Sequence, residues 1–113
     1  MKQFEIWAAC LPRIEGSHIQ GGNRPVVVVS NDMANTHSPV ITIVPLTSNR
    51  YKNPLPTHVT LSADGLPLTS VALCEQVTAV DKPLLSRRIG SIDEASTRSA
   101  LNRALAAQFG MKA

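Results

Sequence analysis

Cysteine, aromatic residues and long apolar runs are all scarce in this 113-residue chain, and each scarcity excludes a class of protein. A small secreted domain held together by cross-links carries more than two cysteines. Cys10 and Cys74 lie far apart, each inside an apolar segment, and read as buried free thiols of a cytoplasmic protein. No stretch approaches the ~18 apolar residues of a membrane span. Residues 1–7 include Lys2 and Glu5 and lack the apolar centre of a signal peptide, so no membrane association is expected. With one Trp, one Tyr and two Phe, the chain is poorly equipped to line a peptide groove with rings or to stack extensively on bases.

Signs of metal and cofactor chemistry are also missing. His18, His37 and His58 stand about twenty residues apart, with no Cys-x-x-Cys or His-Glu-x-x-His pair, so neither metal nor cofactor is expected. Gly21-Gly22 leads into a strand instead of opening a phosphate-binding helix. There is no Gly-x-Ser-x-Gly elbow, and Cys74 sits in an apolar strand, not an electropositive cleft. His58, at a strand start, reads as a hydrogen-bonded structural residue, and His18 and His37 as residues of polar loops.

What is present is a globular composition, 43% hydrophobic and 17% charged, suited to one domain over residues 1–113. The net charge of +3 suits an anionic partner, with nucleic acid the first candidate. Strands are expected at residues 4–10, around Trp7, and at 25–29, where four consecutive valines imply burial on both faces. Further strands are expected at 40–46, 57–61 and 70–80, the last interrupted by Glu75 and Gln76. Residues 11–23 and 47–56 read as long loops. Short strands parted by turns suggest a small antiparallel barrel. Only the end is helical: Ser91 and Glu94 form a capping-box pattern, with Asp93 an alternative cap. Leu101, Leu105 and Phe109 make a core stripe, and Gly110 a C-cap.

A polar set gathers at the strand ends. Ser17 and Gln20 lie in the first loop, Arg24 directly before the valine strand and Asn31 directly after it. Thr47 closes the next strand, and Gln76, a candidate substrate contact, follows Glu75. Arg50 and Lys52, in the second loop, are either nucleic-acid backbone contacts or a solvated face.

Read in order, 21-GGNRPVVVVSND-32 resembles the signature of the MazF/PemK toxins. Ser38-Pro39, 44-VPLTS-48, 56-PTHV-59, 70-SVALCEQV-77, Asp81-Lys82 and Leu85 follow in the family's order. The opening Lys2-Gln3-Phe4-Glu5 and the lengthened first loop, with His18 where the family has an acid, depart from the pattern. The resemblance implies an SH3-like antiparallel barrel with a C-terminal helix, usually a homodimer. It implies an endoribonuclease that cuts single-stranded RNA at a short motif, leaving a 2′,3′-cyclic phosphate and a 5′-hydroxyl. A cognate antitoxin would neutralise it. Arg24 and Thr47 would be the catalytic residues, with Ser17, Gln20 and Asn31 contacting substrate; His18 contacts base or phosphate, or is an exposed loop residue. The alternative is a CcdB-like toxin of the same fold that poisons DNA gyrase without being an enzyme, and so has no need of Arg24 and Thr47.

Overall fold

The computed structural model describes residues 1–49 and 53–112. Arg50 and Lys52 therefore lie outside the described residues. Among those described, seven strands form an antiparallel sheet: β1 (Glu5–Leu11), β2 (Gly22–Val28), β3 (Val40–Thr47), β4 (His58–Leu61), β5 (Ser70–Leu73), β6 (Thr78–Asp81) and β7 (Leu85–Ser91). A short helix, α1 (Asp32–His37), joins β2 to β3, and α2 (Ala95–Phe109) ends the chain. Spatial order is β4-β5-β3-β2-β1-β7, with β6 also on β3. This is the mainly β architecture with a C-terminal helix expected from the sequence.

The valine run explains the centre of the sheet. Val26, Val27 and Val28 are fully buried because both faces of β2 are covered. Val27 joins one apolar cluster with Ile6, Val44, Leu46 and Leu101, while Val26 and Val28 join another with Ile41, Ile43 and Val80. The period-two alternation of a strand thus feeds two cores. Helix α2 closes the first through Leu101 and Ala104, each buried apolar side chain of leucine size being worth about 1.5–3 kcal/mol.

Although β4 and β7 are the two edges of the sheet order, they are brought together. The turn after β4 presses on β7, so that a Cβ on Gly65 would collide with the Ile89 carbonyl oxygen, and one on Gly90 with that of Asp64. Two bare Cα atoms let the edges interlock, rolling the sheet towards a barrel.

Four expectations change. The 70–80 strand is two strands separated by a 3₁₀ turn, Cys74–Gln76. Leu46 faces Ala72 and Ile43 faces Thr78, so three steps along β3 are matched by six along its neighbour. The turn absorbs the surplus of three. The capping box does not form: Ser91 ends β7 and donates to Asp93 Oδ1 at 2.7 Å, and Glu94 occupies the N-cap without a side-chain cap bond. Phe109 is 60% exposed because every residue of α2 beyond Ala106 has left the core. His37 lies in the last turn of α1, not in a loop; Asn31 caps that helix by accepting from Ala34 N–H at 2.9 Å.

Candidate active site

Arg24 and Thr47 come together through strand register. Val26 pairs with Pro45 in the β2–β3 ladder, and two further steps in that register set Arg24 opposite Thr47. The ladder itself ends at Val26, because Val29 N–H donates to Thr42 O, so alternate residues of β2 face β3 and position 25 is the next due to donate. Pro25 has no N–H. The Leu46 carbonyl left over is taken by Arg24 Nη1 at 3.1 Å, and Arg24 Nε donates to Gly21 O at 3.1 Å. Two of the five guanidinium donors thereby fix the orientation of the cation.

Thr47 is nearly buried, at 5% exposure, yet lines one cleft with Arg24, Ser48 and Leu68. Its Oγ1 accepts from Asn49 N–H at 3.2 Å and donates to no group among the described residues, which leaves its proton for a ligand. Arg24 also walls a second cleft, along the first loop, with Ser17, His18 and Gln20. Both clefts meet at this guanidinium.

Gln76 spans from the 3₁₀ turn to that loop. Its Oε1 accepts from Gln20 N–H at 2.8 Å and its Nε2 donates to His18 O at 3.3 Å. The amide that the sequence suggested for substrate contact is occupied with holding the loop. Ser17 Oγ accepts from Ile19 N–H at 3.1 Å within the loop. Asn31 does not join this group in a single chain: it stands past the opposite end of β2 and caps α1.

The preceding residue in the turn, Glu75, accepts from Thr57 Oγ1 and from His58 Nε2, both at 3.0 Å. His58 Nδ1 accepts from Leu55 N–H at 3.1 Å, which assigns the ring proton to Nε2. His58 is thus the hydrogen-bonded structural residue expected of it, with its side chain only 4% exposed. Among the described residues no group of three His, Cys, Asp or Glu side chains gathers as a metal site would require. Burial, reinforced by the Glu75 charge, pushes the Cys74 thiol up to about 12. Cys10, expected to be buried, is exposed because its side chain alternates with the inward-facing Ala9 and Leu11.

Sequence reasoning passed over Arg13, which lines the loop cleft beside Arg24. The bare Gly21-Gly22 pair was the available signal, since it admits a neighbour close to the backbone.

The chain is similar to several known proteins. Residues 2–109 match the family model described as PemK-like, MazF-like toxin of type II toxin-antitoxin system. The chain is 38% identical over 96 residues to Endoribonuclease EndoA of Bacillus subtilis, covering 83% of this chain and 82% of that protein. It is 31% identical over 113 residues to Endoribonuclease MazF of Staphylococcus saprophyticus, covering 98% and 92%. A mycobacterial endoribonuclease solved in complex with its cognate antitoxin has the same fold, with a TM-score of 0.79 at 24% identity, covering 100% of this chain and 98% of that one.

Proposed function

The chain belongs to the PemK-like, MazF-like toxins of type II toxin–antitoxin systems, and on that premise we propose that it is an endoribonuclease cutting single-stranded RNA at a short motif across the Arg24–Thr47 cleft. The observation that carries the assignment of the site is the anchored guanidinium set opposite a threonine with a proton to donate. The 2′-hydroxyl of the RNA attacks the adjacent phosphorus, and the bond to the 5′-oxygen breaks. A 2′,3′-cyclic phosphate and a 5′-hydroxyl result, the 2′ proton being lost and one gained by the leaving oxygen. Since the nucleophile belongs to the substrate, the protein's task is to align the backbone and stabilise charge on the phosphoryl oxygens.

Arg24 acts as an electrostatic clamp and Thr47 as a hydroxyl donor to the same phosphate. A guanidinium stays protonated throughout the physiological range and is a poor proton acceptor, so activity should be flat from pH 6 to 8. A rate that tracked the titration of one histidine would overturn the clamp. Gln76 and Gln20 act through the shape of the loop, with Ser17 and His18 presented to the RNA and Asn31 contacting it outside the cleft. Arg50 and Lys52 are the remaining candidates for backbone contact. The protein works as one domain in the cytoplasm, as a homodimer, restrained by a cognate antitoxin; among the described residues no helix is long and apolar enough to cross a membrane. EndoA and MazF, the two relatives named above, are both endoribonucleases, which speaks against the gyrase-poisoning alternative.

The test is to incubate the protein with mixed single-stranded RNA, with and without EDTA, and to map the ends. Cyclic-phosphate ends formed in chelator and reduced about 10²–10³-fold in Arg24→Ala or Thr47→Ala are expected. Cleavage that needs a divalent ion, or that survives both substitutions, would overturn the reading.

A further inference from the structure

Two guanidinium groups reach the cleft wall, and the Gly21-Gly22 step lies between them. On one side Arg24 Nε donates to Gly21 O at 3.1 Å. On the other the Arg13 guanidinium rests against Gly22, where any Cβ would collide with Arg13 Nη2 and where φ is +81°, a value L residues rarely adopt. Gly21 is crowded as well: a Cβ there would come within 2.6 Å of Pro12 O and 2.9 Å of Arg13 Cα. These bare positions are the seat into which the Arg13 main chain and side chain fit.

Among the described residues the Arg13 charge has no ion-pair partner. Ion pairs among the described residues join His58 to Glu75, Arg88 to Glu5 and Arg98 to Asp93, and none includes Arg13. Glu15, on the same cleft, makes no ion pair with it. An exposed, unpaired cation held against backbone beside a second, anchored cation is an arrangement that a polyanion completes.

We propose that Arg13 binds a phosphate neighbouring the scissile one, so that Arg13 and Arg24 together grip two phosphates of one RNA strand. This rests on the ribonuclease reading above. Both cations are referenced to the same dipeptide, which sets their spacing before substrate arrives and lowers the ordering cost of binding. Arg13 serves affinity and register, while Arg24 serves the reacting phosphate.

The test uses RNA carrying a 2′-deoxy nucleotide at the cleavage position, which binds without being cut. Its affinity is measured across a salt series for the native protein, Arg13→Ala and Arg13→Gln, all checked for native Tm. Each variant should flatten the log K against log salt slope by about 0.7, the increment for one phosphate contact on a single strand. On cleavable RNA, KM should rise by a larger factor than saturating kcat falls. Replacing one linkage flanking the scissile bond by neutral methylphosphonate should weaken the native protein and leave both variants unaffected. An unchanged slope with native sensitivity to every methylphosphonate would overturn the Arg13 site alone. Failure of the native protein to bind or cut RNA would overturn the ribonuclease reading and this inference with it.

Discussion

At the residue scale, the Arg24-Pro25 step explains why a proline sits within a central strand. Proline withholds one ladder donor, and the carbonyl so released becomes the anchor of the arginine. Substituting Pro25→Ala would restore an N–H able to bond Leu46 O in competition with Arg24. We expect kcat/KM to fall, by up to about 10²-fold if the guanidinium shifts by an ångström. Stability should hold, because the new ladder bond offsets the roughly 0.4–1 kcal/mol of added unfolded-chain entropy. Native kcat/KM in Pro25→Ala would show that the anchor does not govern the rate. Arginine and threonine stood out at strand ends, but only the resemblance to the family's motif gave them a catalytic role. Their shared carbonyl was not legible, since it depends on which ladder bond is missing.

At the element scale, the Cys74–Gln76 turn ties two parts of the molecule together. Glu75 fastens the start of β4 through Thr57 and His58, while Gln76 holds the first loop through Gln20 and His18. Sequence alone showed Glu75 and Gln76 as polar interruptions of one strand. The register slip that makes them a turn comes from pairing β5 and β6 on the same β3, a long-range condition invisible to local periodicity. Gln76→Ala should loosen the loop, seen as faster amide exchange at Gln20, and should broaden the set of RNA motifs cut more than it lowers kcat. If instead exchange at Gln20 is unaltered, the loop is held by something else. α2 teaches a similar lesson at its end: a four-residue stripe forecast Leu101 as core correctly, but Phe109 lies past the reach of the sheet.

At the scale of the whole molecule, the interlock of Gly65 with Gly90 draws the edges of the sheet together. Gly90→Ala would press a methyl group onto the Asp64 carbonyl, costing about 1–3 kcal/mol. The expected reading is a lower urea midpoint with an unchanged m-value, and a native midpoint would count against the seam. Acid acts at the other side of β7. Partial burial works to raise the pKa of Glu5, but hydrogen bonds from Lys2 N–H, Trp7 and Arg88, with the Arg88 charge, hold it below its ordinary value of 4.5. The native state therefore favours the carboxylate. Its stabilisation is present above pH 4.5 and is lost as pH falls through the lowered native value. Glu5→Gln should be less stable than the native protein at pH 7, and the gap should close on acidification. A gap that widened towards low pH would reverse the assignment.

Local composition was enough to determine that this chain folds as a small β protein with a terminal helix. Valine and isoleucine runs, proline and glycine breaks and a helical stripe act through neighbours a few residues away, and the ordered motif blocks marked the family. Where the side chains meet was decided only by tertiary structure. The Arg24 anchor, the Gln76 bridge, the seat of Arg13 on Gly22 and the exposure of Cys10 all arise from strand register and close backbone approach. Those are relations between distant segments, and no window along the chain contains them.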